Sequence, residues 1–181
     1  MSKNEFVQEP PGEKESPAEQ RAHVQEILGK ISDVLFVSFA SDGPTPEVNA
    51  RPLHVKKLEE DGALWFMVSA GSSAVSEVRR SADTFVSGHE GRRWIQLNGR
   101  SSVVTDRAQV RALWTKGDDV WFPDGPEDPD AVLIHFTPIK AEYWDNSGTR
   151  GLSFLFEAAR ALVEEELPRP KKGSHGEVHT P

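Results

Sequence analysis

Hydrophobic positions along this chain follow two periods, and the points where the period changes mark the predicted elements. Residues 24–31 carry an apolar stripe of helical period, and residues 16–19 (Ser-Pro-Ala-Glu) before them have the composition of a capped helix start. Runs of β-branched and aromatic residues then predict strands, separated by short turns rich in Gly, Pro, Asp and Ser. The predicted strands cover 34–40, 46–58, 64–68, 84–89, 93–106, 132–137 and 140–145, with a bend at Gly99 and a break at Pro138.

Three further helices are predicted at 72–81, 107–115 and 152–167. The short loops between strands favour antiparallel hairpins over parallel βαβ units. The sum is about six antiparallel strands with helices between them and at both ends, which predicts an α+β domain built on a small barrel or a strongly bent sheet. We place this domain at 16–167, after a polar arm over 1–15 and before a polar tail over 168–181.

Composition narrows the possible functions. The 181 residues have a formal net charge of −8, which argues against binding to nucleic acid or to an anionic membrane surface. The chain has no cysteine, so disulfides and thiolate chemistry are excluded. The start of the chain has no apolar segment of signal-peptide type, and no apolar run reaches the length of a membrane span, so we expect a cytoplasmic protein.

The usual catalytic and metal-binding motifs are missing. No Gly-x-Ser-x-Gly, Walker or Gly-x-Gly-x-x-Gly sequence is present, and the six histidines lack metal-ligand spacing. The acidic segment 121–130 does not follow the calcium-loop pattern, so we interpret it as a solvated loop. We predict no metal site.

The segment 64–80 is the main candidate for a ligand site. It reads as a buried strand, a turn of small residues and a helix start, in that order. Ser72 or Ser73 can cap the helix, and free N–H groups at a helix N-terminus attract anions. A plain strand, turn and capped helix would have the same sequence, and these residues alone do not separate the two interpretations.

Three other places add candidate residues. Pro52 interrupts a predicted strand, which implies an edge or a bulge, and Arg51 and Leu53 share one face, where they can hold a flat ring with polar edges. A surface arginine beside an edge proline is the alternative. Trp94 and Gln96 share the face opposite the aliphatic residues of their strand. Trp121, in a loop rich in Pro and Gly, is suited to stack on a ligand or on a partner subunit, or else to anchor its own loop.

The ordered set of motifs resembles the pyridoxamine 5′-phosphate oxidase-like superfamily of FMN-binding split β-barrels, and within it the general stress protein 26-like branch. The resemblance covers roughly residues 17–180. It rests on the Asn-Ala-Arg-Pro-Leu sequence at 49–53, Leu64–Ser69, Trp-Phe-Pro at 121–123 with Gly125 and Asp-Pro at 128–129, Ala-Glu-Tyr-Trp-Asp at 141–145, and 173–179.

The resemblance implies a homodimer with FMN at the subunit interface. It places Arg51, Pro52 and Leu53 near the isoalloxazine ring and the backbone of Val68 and Ser69 at the polar edge of that ring. Ser72 and Ser73 would lie by the phosphate. Trp94 and Gln96 stand at the strand positions that contact the ribityl-phosphate end, and Trp121 would approach from the other subunit.

One position departs from the family pattern. The first turn of the helix after the small-residue segment usually carries a lysine that pairs with the FMN phosphate, and here that position is Ala74. Loss of a charge-assisted contact costs about 1.5–3 kcal/mol, or roughly ten- to a hundredfold in affinity. The candidates to replace that cation are Lys56, Lys57, Arg79, Arg80, Arg92 and Arg93.

Three functions follow from the resemblance. The first is an FMN-binding flavoprotein that passes hydride or electrons between a reduced pyridine nucleotide and an unknown small molecule. The second is a non-catalytic flavin- or F420-binding stress protein of the same fold with a weakened phosphate site, which Ala74 favours. The third is an interaction dimer without a ligand.

Overall fold

Alternation of buried and exposed side chains builds seven strands, and apolar stripes build three helices, in the residues that the computed structural model describes, namely 15–40, 47–147 and 175–179. The predicted helix at 152–167 and nearly all of the predicted arm lie outside these residues. In chain order the elements are α1 (Pro17–Leu28), β1 (Asp33–Phe39), β2 (Val48–Leu58), β3 (Leu64–Ser69), α2 (Ser73–Arg80), β4 (Asp83–Glu90), β5 (Arg93–Val104), α3 (Arg107–Leu113), β6 (Ala131–Asp145) and β7 (His175–His179).

Six of the strands close into a barrel. They are hydrogen-bonded in the order β3, β2, β1, β4, β5 and β6, every neighbouring pair is antiparallel, and β6 pairs back onto β3. The inward-facing positions supply the core, in which Phe36, Phe66, Phe136 and Tyr143 are fully buried. The predicted six-stranded antiparallel barrel with flanking helices is confirmed.

The strand β6 is continuous, whereas the sequence predicted two strands separated at Pro138. Its first part pairs with β3 as far as Phe136, and its later part pairs with β7 from Lys140 onwards. Pro138 lies on β6 between the end of the first ladder and the start of the second. The missing N–H of proline therefore breaks no bond of these two ladders. On the other side of β6, Pro138 lies opposite Gly99 of β5 at the register shift between those strands, and β6 continues through it.

The bend predicted at Gly99 is present as a register shift between β5 and β6. A side chain cannot be accommodated there, because a Cβ at Gly99 would lie 2.3 Å from the carbonyl oxygen of Thr137 and 2.6 Å from the ring of Phe136. The close approach of the two backbones thus requires glycine.

Residues 175–179, which the sequence analysis places in the polar tail, form β7 on the outer edge of β6. Val178 is buried in the main core, and Gly176 allows Tyr143 to pack directly on the β7 backbone. Pairing with a strand more than thirty residues earlier overrides the polar character of this short segment.

The helices pack against the barrel. The N-terminus of α1 has the predicted capping box, in which the Ser16 side chain accepts from the Glu19 N–H and the Glu19 carboxylate accepts from the Ser16 N–H. A second apolar cluster lies outside the barrel, where Val110 of α3 and Phe122 cover Ala131 and Leu133 of β6. None of the helices in the described part is long and apolar enough to cross a membrane.

Candidate functional site

The wall of the barrel is open on one side, between the first half of β2 and the end of β3. The two strands pair only from Val55 opposite Phe66 to Leu58 opposite Leu64, with a bulge between residues 55 and 57. Residues 48–54 of β2 therefore have a strand partner only on the β1 side, and residues 67–69 of β3 only on the β6 side, among the described strands. We call this opening the seam.

Four predicted site residues lie along the seam. Arg51 and Leu53 occupy inward positions on the unpaired half of β2, and Leu53 packs against the main core. Val68 and Ser69 end β3 on the opposite side of the seam. The edge predicted at Pro52 is confirmed, and two strand segments without a strand partner on this side face the same opening, which is a surface suited to a ring with polar edges.

The turn after β3 satisfies most of its own N–H groups. The Ser69 hydroxyl accepts from the Gly71 N–H, the Ser69 carbonyl accepts from the Ser72 N–H, and the Ala70 N–H donates to the Asp130 carbonyl. The Asp130 carboxylate also lies here, since its Oδ1 accepts from the Gly71 N–H at 3.4 Å. Asp130 comes from the acidic loop, so this carboxylate stands where the sequence predicted an anion site.

Of the two predicted caps, Ser72 is the one that caps α2, because its hydroxyl accepts from the Val75 N–H at 3.4 Å. Ser73 is the first helical residue and is exposed. Ala74, which replaces the lysine of the family pattern, is only 1% exposed and packs in the main core.

Glu77 is one helical turn beyond Ala74 and is 4% exposed. Its carboxylate accepts from Arg51 at 2.6 Å, from the Ser38 hydroxyl at 2.6 Å and from the Asn49 amide at 2.8 Å. Burial raises the pKa of Glu77, but the hydrogen bonds from Ser38, Arg51 and Asn49 outweigh it and hold the pKa below its ordinary value. An ionised carboxylate therefore neutralises the arginine that the resemblance assigns to the cofactor.

The other candidate cations give no replacement in the described part of the chain. Arg79 lies in the last turn of α2, about 9 Å of helix rise from Ser73, and Arg92 lies on the exposed turn between β4 and β5. The remaining four hold other partners: Lys56 with Asp118, Lys57 with Glu59, Arg80 with the Ala40 carbonyl, and Arg93 with Asp145.

A second set of predicted residues lies on the outer face of the sheet. Trp94 and Gln96 point outward from β5, opposite the buried Ile95 and Leu97. Trp94 is 45% exposed and, with Pro52, lines a cleft of 410 Å³. Pro52 thus faces away from its neighbours Arg51 and Leu53, so the chain alone does not join this set to the seam.

Trp121 is isolated from both sets. It follows a short 3-10 turn after α3 and is 78% exposed. The segment that carries it is well anchored, because the Asp118 carboxylate accepts from Lys56 of β2 at 2.6 Å and from the Thr115 N–H at 2.7 Å. Trp121 therefore projects into solvent from an anchored segment and does not pack as an anchor of its own loop.

The donors in the seam suit one part of FMN and not the other. The end of β3 at Val68 and Ser69, which has no strand partner on the β2 side among the described strands, and Leu53 across the seam form a surface that suits a flat ring with a polar edge. Around the start of α2 lie the neutral Ala74, the guanidinium of Arg51, which is already paired with Glu77 of this helix, and the carboxylate of Asp130, so this region offers no unpaired cation for a phosphate among the described residues. Sequence reasoning missed Glu77 and Asp130, although a carboxylate between Ala74 and Val78 on an apolar helical stripe was a signal for a buried polar partner.

Solved structures share this fold. The chain is similar to a general stress protein 26 from Jannaschia sp. CCS1, with 22% identity over 90% of this chain and 99% of that one, at a TM-score of 0.64. A protein from Clostridium acetobutylicum related to general stress protein 26 has 19% identity over 70% and 88% of the two chains, at a TM-score of 0.60. A general stress FMN/FAD binding protein from Xanthomonas citri has 23% identity over 63% and 82%, at 0.52.

A search of the curated proteins found no match to this chain. The model of one protein family, described as pyridoxamine 5′-phosphate oxidase like, matches residues 19–169. That match takes in every strand of the barrel and the seam between β2 and β3. The chain belongs to the pyridoxamine 5′-phosphate oxidase-like family.

Proposed function

We propose that this protein binds a flavin, with the isoalloxazine ring held in the seam between β2 and β3. The observation that carries the proposal is the end of β3 at Val68 and Ser69, which has no strand partner on the β2 side among the described strands and faces Arg51 and Leu53 across that opening. The similarity to the general stress FMN/FAD binding protein from Xanthomonas citri supports the same ligand class. A bound flavin supplies hydride and electron transfer, while the chain positions the ring and hydrogen-bonds its edge.

The finer proposal is FMN as the flavin and a reduced pyridine nucleotide as the donor to an unknown small acceptor. The second candidate, a flavin- or F420-binding protein without turnover, is favoured by Ala74 and by the pairing of Arg51 with Glu77, which weaken the grip on a phosphate. Oxidation of NADH and NADPH, measured with the protein and flavin against flavin alone, separates the two. If the protein with flavin oxidises NADH and NADPH no faster than free flavin does, the binding protein without turnover is the candidate that remains.

We further propose a homodimer. The predicted site residues fall into three sets on different faces of the barrel, and a second copy is what would bring Trp121 to the seam. The outer face supports this, because the half-exposed Leu35 and Trp94 line the same cleft. Trp121 also projects into solvent, from a segment that the Lys56–Asp118 contact anchors. Light scattering tests it: a dimer is expected, and a strict monomer that binds flavin would contradict it.

The test of the flavin proposal is a titration of the purified protein with FMN, riboflavin and F420, followed by flavin fluorescence. We expect Leu53→Trp, which fills the seam, to weaken flavin binding at least tenfold. The matched control is Ile139→Trp, an apolar-to-Trp change at a half-exposed strand position outside the seam, which should leave affinity unchanged. Far-UV circular dichroism and a thermal melt verify that both variants fold, since overpacking carries its own cost.

Affinities weaker than about 100 μM for every one of the three ligands would refute the flavin proposal, because so small a binding free energy allows little occupancy in a cell. An equal loss of flavin affinity in Leu53→Trp and Ile139→Trp would mean that the flavin does not bind in the seam.

A further inference from the structure

The charged groups around the turn after β3 do not suit a phosphate. Arg51 reaches from β2 with its guanidinium to Glu77 of α2, one helical turn beyond Ala74, and the Asp130 carboxylate accepts from the Gly71 N–H. Next to Asp130, Arg107 donates to the carbonyls of Asp128 and Ala131, and the Asp128 carboxylate accepts from the Asp130 N–H. These two positive and three negative side chains leave a net charge of −1. A phosphate monoester, itself an anion, would lose its water at this place without gaining a free cation.

The pairing of Arg51 with Glu77 is fixed rather than optional. Glu77 is 4% exposed and takes three donors, so it has no solvent to turn towards. If Arg51 moved to a ligand, it would leave a buried carboxylate held only by the neutral Ser38 and Asn49, which is costly. Arg51 is therefore not available at low cost to an incoming anion.

We propose that Glu77 and Asp130 make this site choose flavins by the ring and not by the phosphate, so that it takes uncharged riboflavin as readily as FMN. The inference rests on the proposed flavin site and goes beyond it, because it names the two residues that set the specificity. Both act on the charge that a ligand meets beyond the ring, Glu77 by neutralising Arg51 and Asp130 directly.

Glu77→Gln is the first test. The amide keeps the shape and an acceptor for Arg51 but removes the negative charge, so the arginine regains its full charge for a ligand. A charge-assisted contact with a phosphate then predicts FMN binding roughly tenfold tighter, with riboflavin binding unchanged. The control is Glu127→Gln, the same substitution in the exposed ion pair with Arg111, which should change neither affinity.

Asp130→Asn is the second variant, and it serves if the Glu77→Gln protein does not fold. Asp130 is exposed, so the substitution does not disturb the core, and it removes the second negative charge at the turn. FMN binding should tighten by a few-fold while riboflavin binding stays the same. The gain should shrink in high salt, since the site is open to solvent.

The wild-type protein alone provides a third measurement. We expect dissociation constants for FMN and riboflavin that agree within about threefold. FMN binding more than tenfold tighter than riboflavin binding would overturn the inference and leave the flavin proposal standing. Weaker FMN binding in Glu77→Gln would also overturn it, because Glu77 would then be positioning Arg51 for the phosphate. If FMN, riboflavin and F420 all bind more weakly than about 100 μM, the proposed function itself fails.

Discussion

The ion pair between Lys56 and Asp118 connects the Trp121 segment to the barrel. Removal of this pair tests whether its burial makes it important for the free energy of unfolding. The Lys56 ammonium lies 2.6 Å from Oδ2 of Asp118 and 2.9 Å from the Thr115 hydroxyl. The two charged side chains are only 6% and 13% exposed. Burial raises the pKa of Asp118, but the hydrogen bonds from Lys56 and Thr115 more than offset this and hold it below its ordinary value.

We expect Lys56→Met to lower the free energy of unfolding by about 2–3 kcal/mol. Methionine keeps the apolar stem of lysine and removes the charge. The loss of the charge-assisted hydrogen bond to Asp118, the shorter of the two that Lys56 donates, accounts for about 1.5–3 kcal/mol. A fully unpaired buried charge would cost about 3–5 kcal/mol, but Asp118 retains the N–H and hydroxyl of Thr115, so the total should stay below that range.

The assay is urea unfolding of Lys56→Met, Asp118→Asn and the double variant, from which the coupling energy of the pair is obtained. The matched control is the same cycle on Lys140 and Glu177, a pair at 2.8 Å whose side chains are 33% and 47% exposed. We expect coupling near 2 kcal/mol for the buried pair and below about 0.5 kcal/mol for the exposed one. Equal coupling in the two cycles would refute the claim that burial makes the Lys56 pair strong.

Two further predictions concern the barrel itself. Gly99→Ala should cost on the order of 2–4 kcal/mol in urea unfolding, because its Cβ would lie 2.3 Å from a carbonyl oxygen, whereas Gly117→Ala, whose Cβ meets nothing closer than 3.8 Å, should be nearly neutral. The buried Asp145 should contribute to acid resistance: burial raises its pKa, yet hydrogen bonds from Ser147, His23 and Arg93 hold it well below the ordinary value. That stability is fully present above about pH 4 and is lost as the pH falls below it. The Asp145→Asn variant should therefore have a lower free energy of unfolding than the wild type at pH 7 and a weaker dependence of that energy on pH between pH 4 and 2. The exposed control Asp83→Asn should show neither change.

The elements that the sequence predicts well are those set by nearby residues. The capping box at Ser16 and Glu19 involves residues three apart, and the structure has both of its hydrogen bonds. The alternation of Trp94 and Gln96 with Ile95 and Leu97 assigns the two faces of β5 correctly, because the period of a strand is a local property.

The features that sequence reasoning missed depend on partners far along the chain. Whether Pro138 breaks β6 depends on which strands lie beside it, and β7 exists because it pairs with that same strand. Asp130 and Gly71 are 59 positions apart, and Glu77 and Arg51 are 26 positions apart. Contacts over such separations produce no periodic pattern in the sequence. The carboxylate on the apolar stripe of α2 signalled only that some partner existed.

Ala74 and Glu77 have to be considered together, since they lie one turn apart on the same short helix. In the proposed flavin site, Ala74 leaves out the cation of the family pattern and Glu77 neutralises Arg51, so the two act in the same direction. Stability gives no separate reason for Glu77, because a buried ion pair is often no more stabilising than apolar residues of similar volume. If its role is to set the charge at the turn, Glu77→Gln changes FMN binding and not riboflavin binding, whereas a purely structural role would change both alike.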